Sequence, residues 1–369
     1  MKKLLPLARL LLAAGITSAA DLPDNNAAAY DSRMALPTGE DAGGLRWIDG
    51  QDLPLEGKAF ADVEAFYDRL PANVTEAVNE GVRNMKHHSA GLQFRFSTDS
   101  THLEFRWTPW GRSLAMDHMP STGVSGIDIY HRAPGGTWRY KATGRIYSAN
   151  GGVCKVDWTP GEECIVNLPL YNGVRTFALG IDPEATVKPL PRRDPRPVVF
   201  YGTSITHGGC CSRPGLAFVN IVGRDLDVPV VNLGFSGSGR MELEMAEHLA
   251  RIDASCYVLD CLWNISDAEI RERFEAFVRI LREKRPDVPI VLAGRCDVWC
   301  GPATWADNYI AELCDRLVQE GWTKISVLPK DGMLGDDGEG TVDGVHPNDI
   351  GMARMAVAYG AAVRKALEL

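Results

Sequence analysis

Four short stretches carry residue types suited to nucleophilic chemistry. In Tyr201-Gly-Thr-Ser-Ile-Thr-His207, a β-rich run gives way to a helix at Ser204, so its hydroxyl is expected to be exposed on the turn and its amide to face a developing oxyanion. Phe235-Ser-Gly-Ser-Gly239 follows a second run and offers the Gly237 amide with no side chain in the way. Asp260-Cys-Leu-Trp-Asn264 closes a third run with a side-chain amide donor, Asn264. In Asp343-Gly-Val-His346-Pro347 the acid can hold one imidazole nitrogen while the other faces a hydroxyl. Each has a plainer reading alone: Ser204 as a helix cap, Gly237 and Asn264 as turn residues, Asp-Gly and His-Pro as turn chemistry. Four at successive positions along one chain point to acyl transfer.

These groups can meet only if the fold gathers them. Residues 198–201, 230–233, 256–260, 290–293 and 325–328 are β-rich without polar alternation, as parallel strands covered on both faces should be. Amphipathic stretches near 215–226, 241–252, 267–284, 306–319 and 351–367 alternate with them, predicting a doubly wound sheet whose sites lie beyond the strands' carboxyl ends. Upstream, 92–96, 103–107, 127–130, 138–140, 163–168 and 176–179 read as short alternating strands, with one helical stretch at 74–84. That cadence predicts a β-sandwich at 45–187, joined by the Pro-rich linker 188–197 to an α/β domain at 198–369.

Gly202-Thr-Ser204, the Gly237 loop, the block ending at Asn264 and Asp343-x-x-His346 resemble, in the same order, the SGNH (GDSL-type) hydrolases. Gly126-Ile-Asp-Ile-Tyr130 resembles the Gly-x-Asp-Leu-Tyr signature of the amino-terminal domain in one branch of them, and His118–Ser125, Leu168–Val174 and Gly202–Cys210 look like that branch too. The resemblance implies a flavodoxin-like three-layer α/β/α hydrolase domain preceded by a jelly-roll-like β-sandwich, working without metal or cofactor. Carried over by position, Ser204 is the nucleophile, His346 the base and then the acid, and Asp343 its orienter. Gly237, Asn264 and the Ser204 amide form the oxyanion hole. Two neighbours depart from the superfamily pattern: Thr203 stands where an acid is usual, and Leu262-Trp-Asn-Ile265 replaces Gly-x-Asn-Asp. Both touch pocket shape rather than reaction type.

The implied activity is hydrolysis of carboxylic esters, with O-acetyl groups on a carbohydrate as the expected substrate. Acyl transfer to an alcohol with the same residues and noncatalytic carbohydrate binding are the alternatives. His118, Arg295 and Trp263 are candidate substrate contacts; Trp107 and Trp110 also bear rings that can stack on sugars, although buried packing is the default for all three tryptophans. His207, three residues after Ser204, is expected to line the pocket or the surface. A net charge of −9 without a Lys/Arg block argues against nucleic acid. Residues 1–20, with Lys2, Lys3, an apolar stretch and Ser18-Ala-Ala20, read as a secretory signal, followed by a flexible leader at 21–44; a secreted or periplasmic protein with no membrane span is expected. Cys154 and Cys164 flank a turn and are placed to bridge, whereas the other cysteines read as small buried hydrophobes. Asn264-Ile-Ser266 is an N-glycosylation triplet, and a donor role requires Asn264 to be unmodified.

Overall fold

Strands rich in Val, Ile, Leu and aromatic residues leave no face for water, and in the carboxyl-terminal half they assemble into one parallel sheet. In the computed structural model, which describes residues 44–192, 194–296 and 301–369, the strands are Val198–Gly202, Val230–Gly234, Cys256–Asp260, Ile290–Ala293 and Ile325–Leu328. Their order across the sheet is second, first, third, fourth, fifth. The switch point therefore lies at the first strand, where a doubly wound sheet opens a crevice. Gly202 is level with Gly234 and with Asp260, so three strands end on one rim.

Successive residues of the first strand enter opposite cores. Val199 and Tyr201 join the helices Leu243–Ala250, Glu275–Lys284 and Trp305–Gln319, and Val198 and Phe200 join Phe218–Leu226 and Asp349–Leu367. This gives three layers.

The amino-terminal half holds two antiparallel sheets. One is four-stranded, in the order Arg46–Asp49, Val174–Ile181, His102–Pro109, Gly152–Asp157. The other is six-stranded, built around Gln93–Thr98, Glu163–Asn167, Ile127–Arg132 and Arg139–Gly144. Phe94 and Phe96 of the second share a core with Phe105, Trp107 and Phe177 of the first, the Phe94 and Phe177 rings lying 4.5 Å apart.

Two local expectations need correction, the extent of the helical stretch and the Cys154–Cys164 bridge. The helical stretch is only Glu80–Met85, because the Thr75 amide donates to Glu244 (2.7 Å) and Asn79 caps the helix by accepting from the Val82 amide. The Pro-rich joint is tied down at its start: Val187–Pro189 pairs with the strand Gln93–Thr98, and Arg192 binds both Glu56 (2.7 Å) and Asp227 (2.6 Å). Cys154 and Cys164 are unpaired and buried, on strands of different sheets.

The two halves share their cores. Phe60, Leu70, Val78 and Val82 pack into one side of the α/β layers, and Met119, Val124 and Leu170 into the other. Among the described residues no helix is long and apolar enough to cross a membrane. The expected signal at 1–20 and leader residues 21–43 lie outside the described residues.

Candidate active site

Gly202 ends the first strand where a Cβ would collide with the Thr206 hydroxyl and the Asp260 carbonyl, so only glycine permits the turn. Thr203 caps the short helix Ser204–His207 by accepting from the Ile205 amide (3.2 Å). Thr206 donates to Asp260 (2.7 Å), whose carboxyl burial pushes up to about 7. Ser204 itself is only 8% exposed, contrary to the expected exposed hydroxyl, because the turn is packed on every side but the rim.

Asp343 and His346 come from the loop before the last helix. Ser204 Oγ lies 2.9 Å from His346 Nε2, across 142 positions of sequence. His346 Nδ1 is 2.7 Å from Asp343 Oδ2, and Asp343 Oδ1 accepts from the amides of His346 (2.7 Å) and Val345 (3.0 Å). Partial burial raises the Asp343 pKa, but these donors outweigh it and hold the carboxyl at about 2. Gly344 makes the tight turn at φ +92°, its amide donating to Thr341 Oγ1 (2.8 Å). The loop closes on itself through the Val342 amide, which donates to the His346 carbonyl (2.9 Å).

The second and third strand ends are tied to the same rim. The Phe235 amide donates to the Gly202 carbonyl (3.0 Å), and Asn264 Nδ2 donates to the Phe235 carbonyl (3.2 Å). One amide hydrogen of Asn264 is thereby anchored, leaving the other for a ligand. Gly237 tops the intervening turn, exposed, at φ +66°, a conformation suited to glycine.

The remaining candidates separate. Arg295 donates to the Leu262 carbonyl (2.7 Å) and lies 5.1 Å over Trp263, whose Nε1 donates to the Cys296 carbonyl (2.7 Å), so this pair braces the Asn264 loop. His118 sits exposed on a turn between Met116 and Met119. Trp107 is buried in the β core, and Trp110 is stacked on His87 (4.4 Å) with Arg175 also over its ring. His207 is fully buried, neither pocket lining nor surface, and burial drives its imidazole toward the neutral form.

Sequence reasoning gave no role to several residues that hold the site. Arg69, buried and drawn down by burial to about 9, still a cation at neutral pH, donates to the carbonyls of Asn232 (3.0 Å) and Gly234 (2.9 Å) beside the Gly237 turn. In the Gly-x-Asp-x-Tyr segment, Asp128 accepts from Arg213 (2.6 Å), the Gly215 amide (2.9 Å) and Asn167 (2.8 Å), and Tyr130 Oη meets Arg213 (2.6 Å). The signature thus docks the β half onto the loop that follows Ser204. Its specific spacing was the available signal.

A hydroxyl, an imidazole and a carboxylate in line at bonding distance, beside amide donors, are suited to acyl transfer. Residues 195–364 match the GDSL-like lipase/acylhydrolase family, and residues 45–187 match the amino-terminal domain of SGNH-hydrolase-type esterases. A GDSL-like lipase from Bacteroides ovatus is similar at 30% identity, over 88% of this chain and 98% of that one, with a TM-score of 0.78. The chain belongs to the GDSL-like hydrolases. It is, accordingly, a carboxylic ester hydrolase. This GDSL-like hydrolase shares its fold, at 17% identity and a TM-score of 0.71, with the salicylyl-acyltransferase of a tetracycline biosynthetic pathway, over 88% of this chain and 99% of that one. It shares it also with a family two carbohydrate esterase from Clostridium thermocellum, solved in complex with cellohexaose, at 13% identity and a TM-score of 0.54, over 76% and 93% of the two chains. No curated protein matches the sequence.

Proposed function

We propose that this hydrolase removes O-acetyl groups from a carbohydrate through an acyl-enzyme on Ser204. The observation that carries the mechanism is the unbroken chain Ser204 Oγ, His346, Asp343 at 2.9 and 2.7 Å. His346 Nε2 takes the hydroxyl proton as Ser204 Oγ attacks the ester carbonyl, and Asp343 steadies the imidazolium through Nδ1. The oxyanion is held by the amides of Ser204 and Gly237 and by Asn264 Nδ2. Collapse releases the alcohol, protonated by His346, and water activated by the same ring frees the acid. The fold shared with family two carbohydrate esterases supports a sugar as the alcohol.

Acyl transfer to an alcohol needs the same residues, and the likeness to the salicylyl-acyltransferase keeps that reading in play. We further read residues 45–187 as a jelly-roll-like sandwich domain, 188–197 as its joint and 1–20 as an export signal.

The test is release of acetate from a panel of acetylated polysaccharides and aryl acetates, with and without added alcohol acceptors. Free acetate from polysaccharide at a rate that Ser204→Ala abolishes supports the proposal. Turnover of aryl esters alone, or acetyl groups moved mainly to the acceptor, overturns the substrate assignment.

A further inference from the structure

Tyr171 lies in the amino-terminal half, in the Leu168–Val174 segment, yet its hydroxyl donates to the Ser204 carbonyl (3.1 Å). The same carbonyl accepts from the Gly209 amide (2.8 Å). The Tyr171 ring stacks on His207, centroids 4.1 Å apart and planes at 16°, and His207 Nε2 is in turn 2.8 Å from the Leu170 carbonyl. The segment is anchored from below, its Leu170 and Tyr171 amides donating to the carbonyls of Gly123 and Val124 (both 3.2 Å). Ser236, on the Gly237 turn, faces the same phenol.

The glycines after the catalytic helix are cut to fit this segment. A Cβ on Gly209 would stand 2.8 Å from Tyr171 Oη and 3.0 Å from the Ser204 carbonyl oxygen, and one on Gly208 would stand 2.9 Å from Leu170 Cδ1. The space that Gly208 and Gly209 leave is the space that Leu170 and Tyr171 fill.

We propose that Tyr171 is a positioning residue for the nucleophile: its hydroxyl fixes the Ser204 peptide and so aims Oγ at His346. This rests on the reading of Ser204 as nucleophile. A helix of four residues is too short to be stiff by itself, so its first carbonyl needs an outside hold. Small misplacements of a reacting atom are costly, a 1 Å error reaching about 100-fold in rate. Burial raises the Tyr171 pKa and keeps the phenol a donor across the working pH range. The amino-terminal half thereby takes part in catalysis without touching substrate.

The experiment compares Tyr171→Phe, Gly209→Ala, their double variant and Ser204→Ala, using an aryl acetate for turnover, an organophosphonate for covalent capture of Ser204, and thermal melting. Tyr171→Phe keeps the ring on His207 and removes only the hydroxyl. It should lower kcat and the phosphonylation rate together by about 10-fold, with KM unchanged and Tm within about 2 °C. Gly209→Ala should give a similar loss by displacing the phenol, and the two losses should be less than additive in the double variant. Wild-type kcat and phosphonylation in Tyr171→Phe, or a loss that follows Tm alone, overturns the proposal. Ser204→Ala tells the two readings apart: if it is inactive while Tyr171→Phe is fully active, only the positioning role fails; if it remains active, the nucleophile assignment fails first.

Discussion

Ser204 and His346 lie 2.9 Å apart, yet the two sides of that contact are built by different means. On the serine side, Thr203, Thr206 and His207 are buried, and the supports come from far along the chain: Tyr171, Arg69 on the second strand end, and Asp128 on the following loop. On the imidazole side, the donors to Asp343 lie within three positions of it, and the Asp343 and His346 side chains are 51% and 32% exposed. The proposed nucleophile is held by tertiary packing, and the proposed base by hydrogen bonds within its own loop. Damage at a distance should therefore reach the serine and spare the histidine.

The most severe test of that contrast removes one group from each side. Ser204→Ala should lower kcat by about 10⁴-fold or more with Tm almost unchanged, and Asp343→Asn by about 10⁴-fold through the wrong imidazole tautomer, with the protein still folded and Tm only modestly lowered. Substantial unfolding of Asp343→Asn would show that the loop is not self-contained. Asp128→Ala strands Arg213 in a buried setting and should cost about 3–5 kcal/mol of stability in denaturant titration, although Asp128 bears on no reacting atom. A melting profile like that of the parent would mean that the β half is only loosely docked. Asn264→Ala should reduce kcat by about 100-fold or more while the protein stays folded, and full activity would exclude Asn264 from the proposed oxyanion hole.

The smallest effect is a pH dependence. Asp343 is held at about 2, below the unfolded value of about 3.9, so its stabilising contribution is complete above the unfolded value and is lost as pH falls through about 2. The Tm difference between the parent and Asp343→Asn should be constant above about pH 5 and shrink on acidification. A difference that widens toward low pH would contradict the hydrogen-bonding pattern. The half-exposed carboxylate keeps the effect modest.

Much of this was legible from local pattern. The strands Cys256–Asp260, Ile290–Ala293 and Ile325–Leu328 match their expected bounds, because short runs dominated by β-branched and apolar residues mark strand interiors. Ser204, Asp343 and His346 were singled out by type and spacing, and the fold brings them within hydrogen-bonding distance of one another. Arg46–Asp49 and Gly152–Asp157 were missed, since these outer strands of their sheet are short and carry mixed, partly exposed residues. Arg69 and Tyr171 were invisible as supports for another reason: their partners lie 163 and 33 positions away, and a side chain reaching a distant carbonyl leaves no periodic trace. The low exposure of Ser204 was hidden likewise, because it depends on what packs from the other half.

Phe60, Leu70, Val78 and Val82 lodge among the α/β helices. A carboxyl-terminal fragment begun at the proline joint would carry an oily scar where those side chains belong, and such scars invite self-association. Protein engineers seeking a minimal enzyme, or a chimera with a foreign front half, would have to transplant the wedge together with the socket.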